Sequence, residues 1–316
     1  MIEVLRAPAF ATVQDGGRAG ERSAGVPPGG ALDPLSLRCG NALLGNAHDD
    51  AAIEWALTGG TLRFHSEAHA ALTGAEVEAQ LDGGTIRHGE VTAVSRGGEL
   101  RIERVQRGRV VYLCVAGGIA VPPVLGGRGT YLPAGFGGFE GRPLRSGDVL
   151  PVGVPSGITR AGARLPPDAR VVAPAGAGAA RAIAVLPGPQ SGVLSPAQWD
   201  TLLGRGLTVD ARSDRTGVRL SGAGLDRVHR TDGRSEPACV GAVQLTPDGT
   251  LIVLMPDGPT VGGYPKIAVV ATADLPRLAQ LGAGERVSLR LVKQDEALAA
   301  LRDQEALMHR ISARRR

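Results

Sequence analysis

Apolar residues along this chain gather into short runs, many of them alternating with polar ones. Runs at 1–6, 61–65, 68–73, 76–81, 91–95, 99–105, 109–116, 148–152, 182–187, 217–221, 240–245, 250–255, 267–272 and 286–292 have the length and period of β-strands. Asp82-Gly83-Gly84 separates two of these runs and Pro247-Asp248-Gly249 two others, so both read as hairpin turns. Helical periodicity is confined to four stretches. Asp33 is placed to cap a helix over 34–45, and Ser195 with Pro196 opens another over 196–204. A third covers Ala273–Leu281, behind Thr272 or Asp274. The fourth, 294–309, lines up Ala297, Leu298, Ala300, Leu301 and Leu307 on one apolar face.

The pattern predicts a mainly β protein with a few helices, and the even strand spacing favours barrels or sandwiches. Between 157 and 181 the chain shifts to Gly, Ala, Pro and Arg, the composition of a linker. The expected layout is a domain over 1–160, a linker over 161–180, a second domain over 181–292 and a helical basic tail over 293–316. A faint repeat relates the halves. TVQDGGRAG at 12–20 resembles TVDARSDRTG at 208–217, and Gly30-Ala31-Leu32-Asp33 parallels Gly241-Ala242-Val243-Gln244.

Composition narrows the function classes. At 43 % apolar and 21 % charged residues, the 316-residue chain is globular. Its nine aromatic residues are too few for a base-stacking platform. The net charge is +4, and the stretch from Lys293 onward holds six basic and four acidic residues, so the rest nets only +2. No basic stripe for nucleic acid follows from that. Cys39, Cys114 and Cys239 are far apart and form no Cys-x-x-Cys pair, which predicts neither a disulfide frame nor a zinc site. His48, His65, His69, His88, His229 and His309 show no ligand spacing either, so no metal is expected. The opening MIEVLRAPAF lacks the apolar segment of a signal peptide. The uncharged run 110–127 is broken by Pro122-Pro123 and reads as a buried strand and turn. A cytoplasmic protein without a membrane partner is expected.

Three polar segments remain as candidate chemistry: Asp15-Gly16-Gly17-Arg18, Ser213-Asp214-Arg215, and Asp257 through Gly262-Gly263-Tyr264-Pro265-Lys266. Each sets charged groups among glycines, where main-chain N–H groups can approach an anionic oxygen. Arg offers a fork for carboxylates and Lys a mobile point charge. Lys266 stands out because the chain has 33 Arg and only two Lys. Lys and Asn codons are AT-rich, so the scarcity reads as genome composition, and a surviving Lys marks a place where Arg serves less well. The two Asn, Asn41 and Asn46, are expected to lock the first helix and its exit turn.

These motifs resemble one family. TVQD at 12–15, GVP at 25–27 with GALD at 30–33, GNALLGN at 40–46, LTGA at 72–75, GGFEGRPL at 137–144, LPGPQ at 186–190, SDRTGVRL at 213–220 and VGGYPKIAVVATADLP at 261–276 carry the likeness. The family is that of the biotin-dependent carboxyltransferase domains, which includes the C-type chain of 5-oxoprolinase and allophanate hydrolase subunit 2. The chain is also similar to half of the carboxyltransferase domain of urea carboxylase. The resemblance implies two cyclophilin-like β-barrel domains. It also implies a role as the C-type chain of a heteromeric, ATP-dependent 5-oxoprolinase that opens 5-oxoproline to L-glutamate. The implied partners are a B-type subunit and a lactam-utilisation-type subunit.

Carried over to this chain, the resemblance implies catalytic roles for Lys266, Asp257, Asp214 and Tyr264. It implies substrate binding by Asp15, Arg18, Arg215, Gln244, Gly262 and Gly263. Lys266 would bind or polarise an oxyanion, Asp257 or Asp214 would orient an amide N–H or act as base, and Tyr264 would donate to a carbonyl. Where the family usually has Asp-Arg-Gln-Thr-Thr-Gly-Gly-Tyr-Pro-Lys, this chain has Gly258, Pro259 and Val261, which bears on substrate choice. An alternative role is the carboxyltransferase half of a biotin-dependent urea or amide carboxylase. Neither Lys lies in a Met-Lys context, so carboxybiotin would then ride on another protein. A third is a regulatory partner that antagonises a kinase inhibitor.

Overall fold

The structure is a computed structural model and describes residues 1–8, 10–56, 58–157, 159–169, 171, 181–225 and 234–314. Part of the expected linker (170 and 172–180), His229 and the last two residues of the tail lie outside the described residues. The chain divides into two compact units. One comprises Met1–Ala19, Gly29–Ala173 and Glu305–Arg316, the other Gly20–Pro28 and Pro174–Gln304.

The first unit contains β1 (Ile2–Arg6), β2 (Phe10–Gln14), α1 (Pro34–Leu44), β3 (Ala52–Ala56), β4 (Thr58–Phe64), β5 (Ala68–Leu81), β6 (Gly84–Thr85), β7 (Thr92–Val94), β8 (Glu99–Val115) and β9 (Val149–Leu150). Nine strands form one sheet, ordered β2-β3-β8-β4-β1-β9, with β5 running along β8 and also pairing β6 and β7. The sequence suggests separate strands at 68–73 and 76–81, and again at 99–105 and 109–116. The structure fuses each couple into one long strand. The apolar alternation breaks at Gly74 and at Gly108, both with positive φ, and the β5–β8 register shifts between Gly74 and Ala79. Such bulges let a strand bend while it stays paired. At the predicted hairpin, Asp82 and Gly83 have φ of 51° and 81°, the signature of a two-residue turn with both central residues left-handed.

Trp55, Phe64, Ile53, Ile102 and Leu113 are fully buried in this unit's core. Burying each stabilises the fold by roughly 1.5–3 kcal/mol. β3 escapes the apolar pattern because it carries a buried acid, Glu54. The Glu54 carboxylate accepts from the Leu32 N–H at 2.8 Å and the Tyr112 hydroxyl at 2.7 Å, while Tyr112 Oη accepts from the Asp33 N–H at 2.8 Å. This network fastens the turn before α1 to the sheet, and burial raises the Tyr112 phenol well above its ordinary range. α1 begins at the Asp33 cap, whose carboxylate accepts from the Ser36 N–H at 2.9 Å, and ends at left-handed Gly45.

The second unit contains β10 (Arg181–Pro187), α2 (Pro196–Leu203), β11 (Leu207–Val209), β12 (Gly217–Ser221), β13 (Glu236–Pro237), β14 (Ala242–Leu245), β15 (Leu251–Leu254), β16 (Val261–Gly262), β17 (Lys266–Val270), α3 (Leu275–Ala279) and β18 (Arg286–Leu291). The last helix, α4 (Gln294–Arg314), begins in this unit and passes into the first from Glu305. Seven strands close a barrel in the order β10-β17-β14-β15-β12-β11-β18, while β13 and β16 form a separate two-stranded ribbon. β18 shows how the sequence builds it: Val287 and Leu289 are buried, Ser288 between them is half-buried, and the flanking Arg286 and Arg290 are exposed. The protein is thus mainly β, with one closed barrel and one larger sheet that branches at β5.

α2 carries the reciprocal cap its sequence predicts: the Gln198 N–H donates to Ser195 Oγ and the Ser195 N–H to Gln198 Oε1. α3 is shorter than expected because a 3₁₀ turn over Thr272–Asp274 takes its first residues. α4 runs longer than 294–309, and its expected apolar face needs correcting. Leu298 and Ala300 are exposed and Ala297 and Leu301 half-buried, whereas Leu307 is buried as expected and is joined by Met308 and Ile311. The proposed repeat holds locally at its first segment. Thr12-Val13 lies within β2 and Thr208-Val209 ends β11, and Asp15 Oδ1 and Asp210 Oδ1 each accept the N–H two residues on. It ends at the second segment, where 30–33 leads into a helix and 241–244 into β14.

Candidate functional site

The predicted site residues fall into separate groups. Asp15 and Arg18 belong to the first unit, where both are buried. Asp15 accepts the Gly17 N–H at 2.9 Å on Oδ1 and the Arg128 N–H on Oδ2. Arg18 donates from Nη2 to Gly129 O at 2.5 Å and lies 5.0 Å above the Phe136 ring. Both residues therefore clamp the glycine-rich loop that runs from Val124 through Gly137. That is a structural role their motif did not disclose.

In the second unit, Asp214 makes its own turn: Oδ1 accepts the Thr216 N–H at 2.8 Å and the Gly217 N–H at 3.1 Å. Arg215 grips Asp257 through two bonds, Nε to Oδ2 at 2.8 Å and Nη2 to Oδ1 at 3.1 Å. The side chain of Asp257 is only 2 % exposed. Register places this pair by Gly217, opposite Leu254, whereas Lys266 lies opposite Gln244 farther along the barrel strands.

Lys266 opens β17, and four elements surround it. β17 pairs with β14, which sets Gln244 opposite it across a bulge. The chain leaving β10 crosses above, so the Lys266 N–H donates to Gln190 Oε1 at 3.0 Å and Lys266 O accepts the Gln190 N–H at 3.1 Å. The β13–β16 ribbon places Glu236 opposite Gly262, and the Gly263-Tyr264-Pro265 turn returns the chain to Lys266. Gly262 leaves room for the Gln244 amide, since a Cβ on it would lie 2.6 Å from Gln244 Nε2. Tyr264 is 44 % exposed at the rim.

The Lys266 ammonium is buried yet loosely held. Its side chain is 6 % exposed, its hydrogen bond among the described residues runs to Gly262 O at 3.4 Å, and its ion partner Glu236 Oε2 is 3.6 Å away. A buried ammonium ordinarily satisfies three donors at about 2.8–3.0 Å. The site thus presents a desolvated cation with donor capacity to spare, beside the amide of Gln244. Such a combination can bind and polarise a carbonyl or anionic oxygen.

Two residues of this cluster were not among the sequence candidates. Gln190 ends the LPGPQ motif, which is its signal in the sequence. Glu236 sits in no motif and is marked only by its pairing with Gly262. Among the described residues, no group of three or more His, Cys, Asp or Glu is gathered to hold a metal ion, and no helix is long and apolar enough to cross a membrane.

A barrel and a branched sheet in one chain, with a buried lysine after a Gly-Gly-Tyr-Pro turn, define a domain of the carboxyltransferase type. The chain belongs to the family of the carboxyltransferase domain, subdomain A and B, which it matches over residues 24–291. It is 38 % identical to the C-type 5-oxoprolinase chain of Escherichia coli (strain K12) over 314 residues, covering 99 % of this chain and 98 % of that protein. It is 32 % identical to the urea amidolyase of Saccharomyces cerevisiae (strain ATCC 204508 / S288c), covering 90 % of this chain and 16 % of the larger protein. Among solved structures, the Kluyveromyces lactis urea carboxylase superposes with a TM-score of 0.89 at 30 % identity, covering 98 % of this chain and 29 % of that one. The chain thus spans nearly all of the 5-oxoprolinase chain and only a part of each urea enzyme.

Proposed function

We propose that this chain is the C-type member of a heteromeric, ATP-dependent 5-oxoprolinase that opens 5-oxoproline to L-glutamate. The B-type and lactam-utilisation-type subunits are its partners, and the complex works in the cytoplasm. Support comes from near full-length similarity to the bacterial C-type 5-oxoprolinase chain, in contrast to coverage of only a fraction of the urea enzymes. The observation that carries the chemistry is the buried, loosely held ammonium of Lys266.

In this reading Lys266 Nζ donates to the lactam carbonyl oxygen and stabilises the negative charge that grows there, with Gln244 Nε2 as a second donor. Low exposure strengthens both contacts. Tyr264 stands at the rim, where its hydroxyl can reach a substrate carbonyl. The complex consumes ATP, and nothing in this chain's cluster is assigned to it.

The test is 5-oxoproline-dependent ATP hydrolysis by the chain purified with both partner subunits, comparing wild type with Lys266→Met. Loss of one oxyanion donor predicts a fall in kcat of about 100-fold or more. Unchanged turnover removes Lys266 from the site. The second reading, a carboxyltransferase half acting on urea with carboxybiotin carried by another protein, is favoured by the TM-score of 0.89 to the urea carboxylase. Urea carboxylation without 5-oxoproline turnover would decide for it.

A further inference from the structure

We infer that Lys266 and Glu236 together read the edge of an amide whose N–H and C=O lie on the same side, with Glu236 as a specificity-determining residue and Gln190 as its positioning residue. This rests on the reading of Lys266 as the group that polarises the carbonyl. It adds what selects the substrate: an N–H on the carbonyl side, which Glu236 accepts and which ordinary trans secondary amides do not offer.

The geometry is that of a donor and an acceptor held side by side. Lys266 Nζ and Glu236 Oε2 are 3.6 Å apart, too far for a hydrogen bond of their own. In an amide with its N–H on the carbonyl side, N and O are separated by about 2.3 Å, from the standard C=O and C–N lengths. Two bonds of about 2.9 Å, splayed slightly outward, carry that spacing onto a donor–acceptor couple of the observed width. Lys266 donates to the carbonyl oxygen while Glu236 accepts from the N–H. A trans secondary amide turns its N–H to the opposite edge and can satisfy only one of the two. A carboxylate facing a carbonyl oxygen without an N–H between them repels it.

Gln190 keeps Glu236 in that pose. Its Oε1 accepts the main-chain N–H of Lys266 at 3.0 Å, and its Nε2 donates to Glu236 Oε2 at 2.6 Å. A main-chain N–H can only donate, which fixes which end of the Gln190 amide faces Glu236. The Glu236 side chain is 51 % exposed while that of Lys266 is 6 % exposed, so a ligand enters from the Glu236 side and meets the ammonium behind it.

The test uses the full-length chain and three probes: 2-pyrrolidinone, N-methyl-2-pyrrolidinone and N-methylacetamide, with dissociation constants read by ligand-observed NMR. Wild type is expected to bind 2-pyrrolidinone about tenfold more tightly than the other two, the loss of one hydrogen bond to a charged acceptor. Glu236→Ala is expected to bring the two pyrrolidinones to within about twofold of each other, and Glu236→Gln, which keeps an acceptor, to restore part of the preference. Gln190→Ala is expected to lower the preference. Equal binding of both lactams by wild type, no lactam binding at all, or a preference that survives in Glu236→Ala overturns the inference. If Lys266→Met abolishes turnover while Glu236→Ala keeps the preference, only this inference falls. If Lys266→Met leaves turnover intact, the reading of Lys266 falls.

Discussion

Arg215 and Asp257 grip each other. Two side-chain bonds join them, and the Asp257 N–H also donates to Arg215 O at 3.1 Å, so the pair staples the turn before β12 to the exit of β15. Two site candidates that are 42 positions apart in the sequence are thus bonded to one another.

This pairing predicts a strong non-additivity. Arg215→Ala leaves a nearly buried carboxylate without its guanidinium and should cost about 3 kcal/mol in urea unfolding, and Asp257→Ala a similar amount. The double variant should lose clearly less than the sum. Additive losses would show that the two act separately.

The Asn pair is structural. Asn46 Nδ2 donates to Asn41 Oδ1 at 2.9 Å and Val115 O at 2.8 Å, while its Oδ1 accepts the Gly117 N–H at 2.8 Å. Asn41 Nδ2 in turn holds His48 O and Asp50 O. Asn46→Ala leaves several buried groups unmet and should cost about 2 kcal/mol, lowering Tm by about 5 °C. Thermal unfolding followed by circular dichroism checks this, and an unchanged Tm would refute it.

Thiol reactivity should separate the three cysteines. Burial pushes the Cys39 and Cys114 thiols up to about 12, whereas Cys239 is exposed. A native-state titration with an aromatic disulfide reagent at pH 8 should release one equivalent quickly and all three only after denaturation. Fast reaction of more than one thiol contradicts the packing of α1 on β8.

Acid should weaken the first unit in a defined direction. Hydrogen bonds from Arg142 hold the Asp148 carboxyl below its ordinary 3.8, and Arg38 likewise lowers Glu305. A carboxyl lowered in the folded state adds stability above its unfolded value, and that stability is lost as pH falls through the folded value. Urea midpoints for wild type should therefore drop below about pH 4, and Asp148→Asn should flatten that drop. Equal pH slopes for the two proteins would count against the pair.

The prediction for the site concerns Gly262. A methyl group there would press on Gln244 Nε2 and move the donor next to Lys266. Gly262→Ala should raise KM for 5-oxoproline by about tenfold while unfolding at nearly the wild-type urea concentration. An unchanged KM would separate Gln244 from substrate.

Local periodicity and turn chemistry determined much of this protein from its sequence. The Asp33 and Ser195 caps, the Asp82-Gly83 turn, the alternation of β18 and the mainly β class all follow from interactions between residues a few positions apart. The motif ending in Lys266 was equally legible, since a lysine in an Arg-rich chain is conspicuous. Tertiary structure decided what local patterns do not encode. It fused four short runs into two long bulged strands, because pairing across β5 and β8 outweighs a break in alternation. It drew Asp15 and Arg18 onto a distant loop and gave Arg215 to Asp257. It also brought Gln190 and Glu236, 76 and 30 positions away, to Lys266. Strand pairing joins residues by register rather than by sequence distance, so the partners of a buried charge emerge only when the sheet closes.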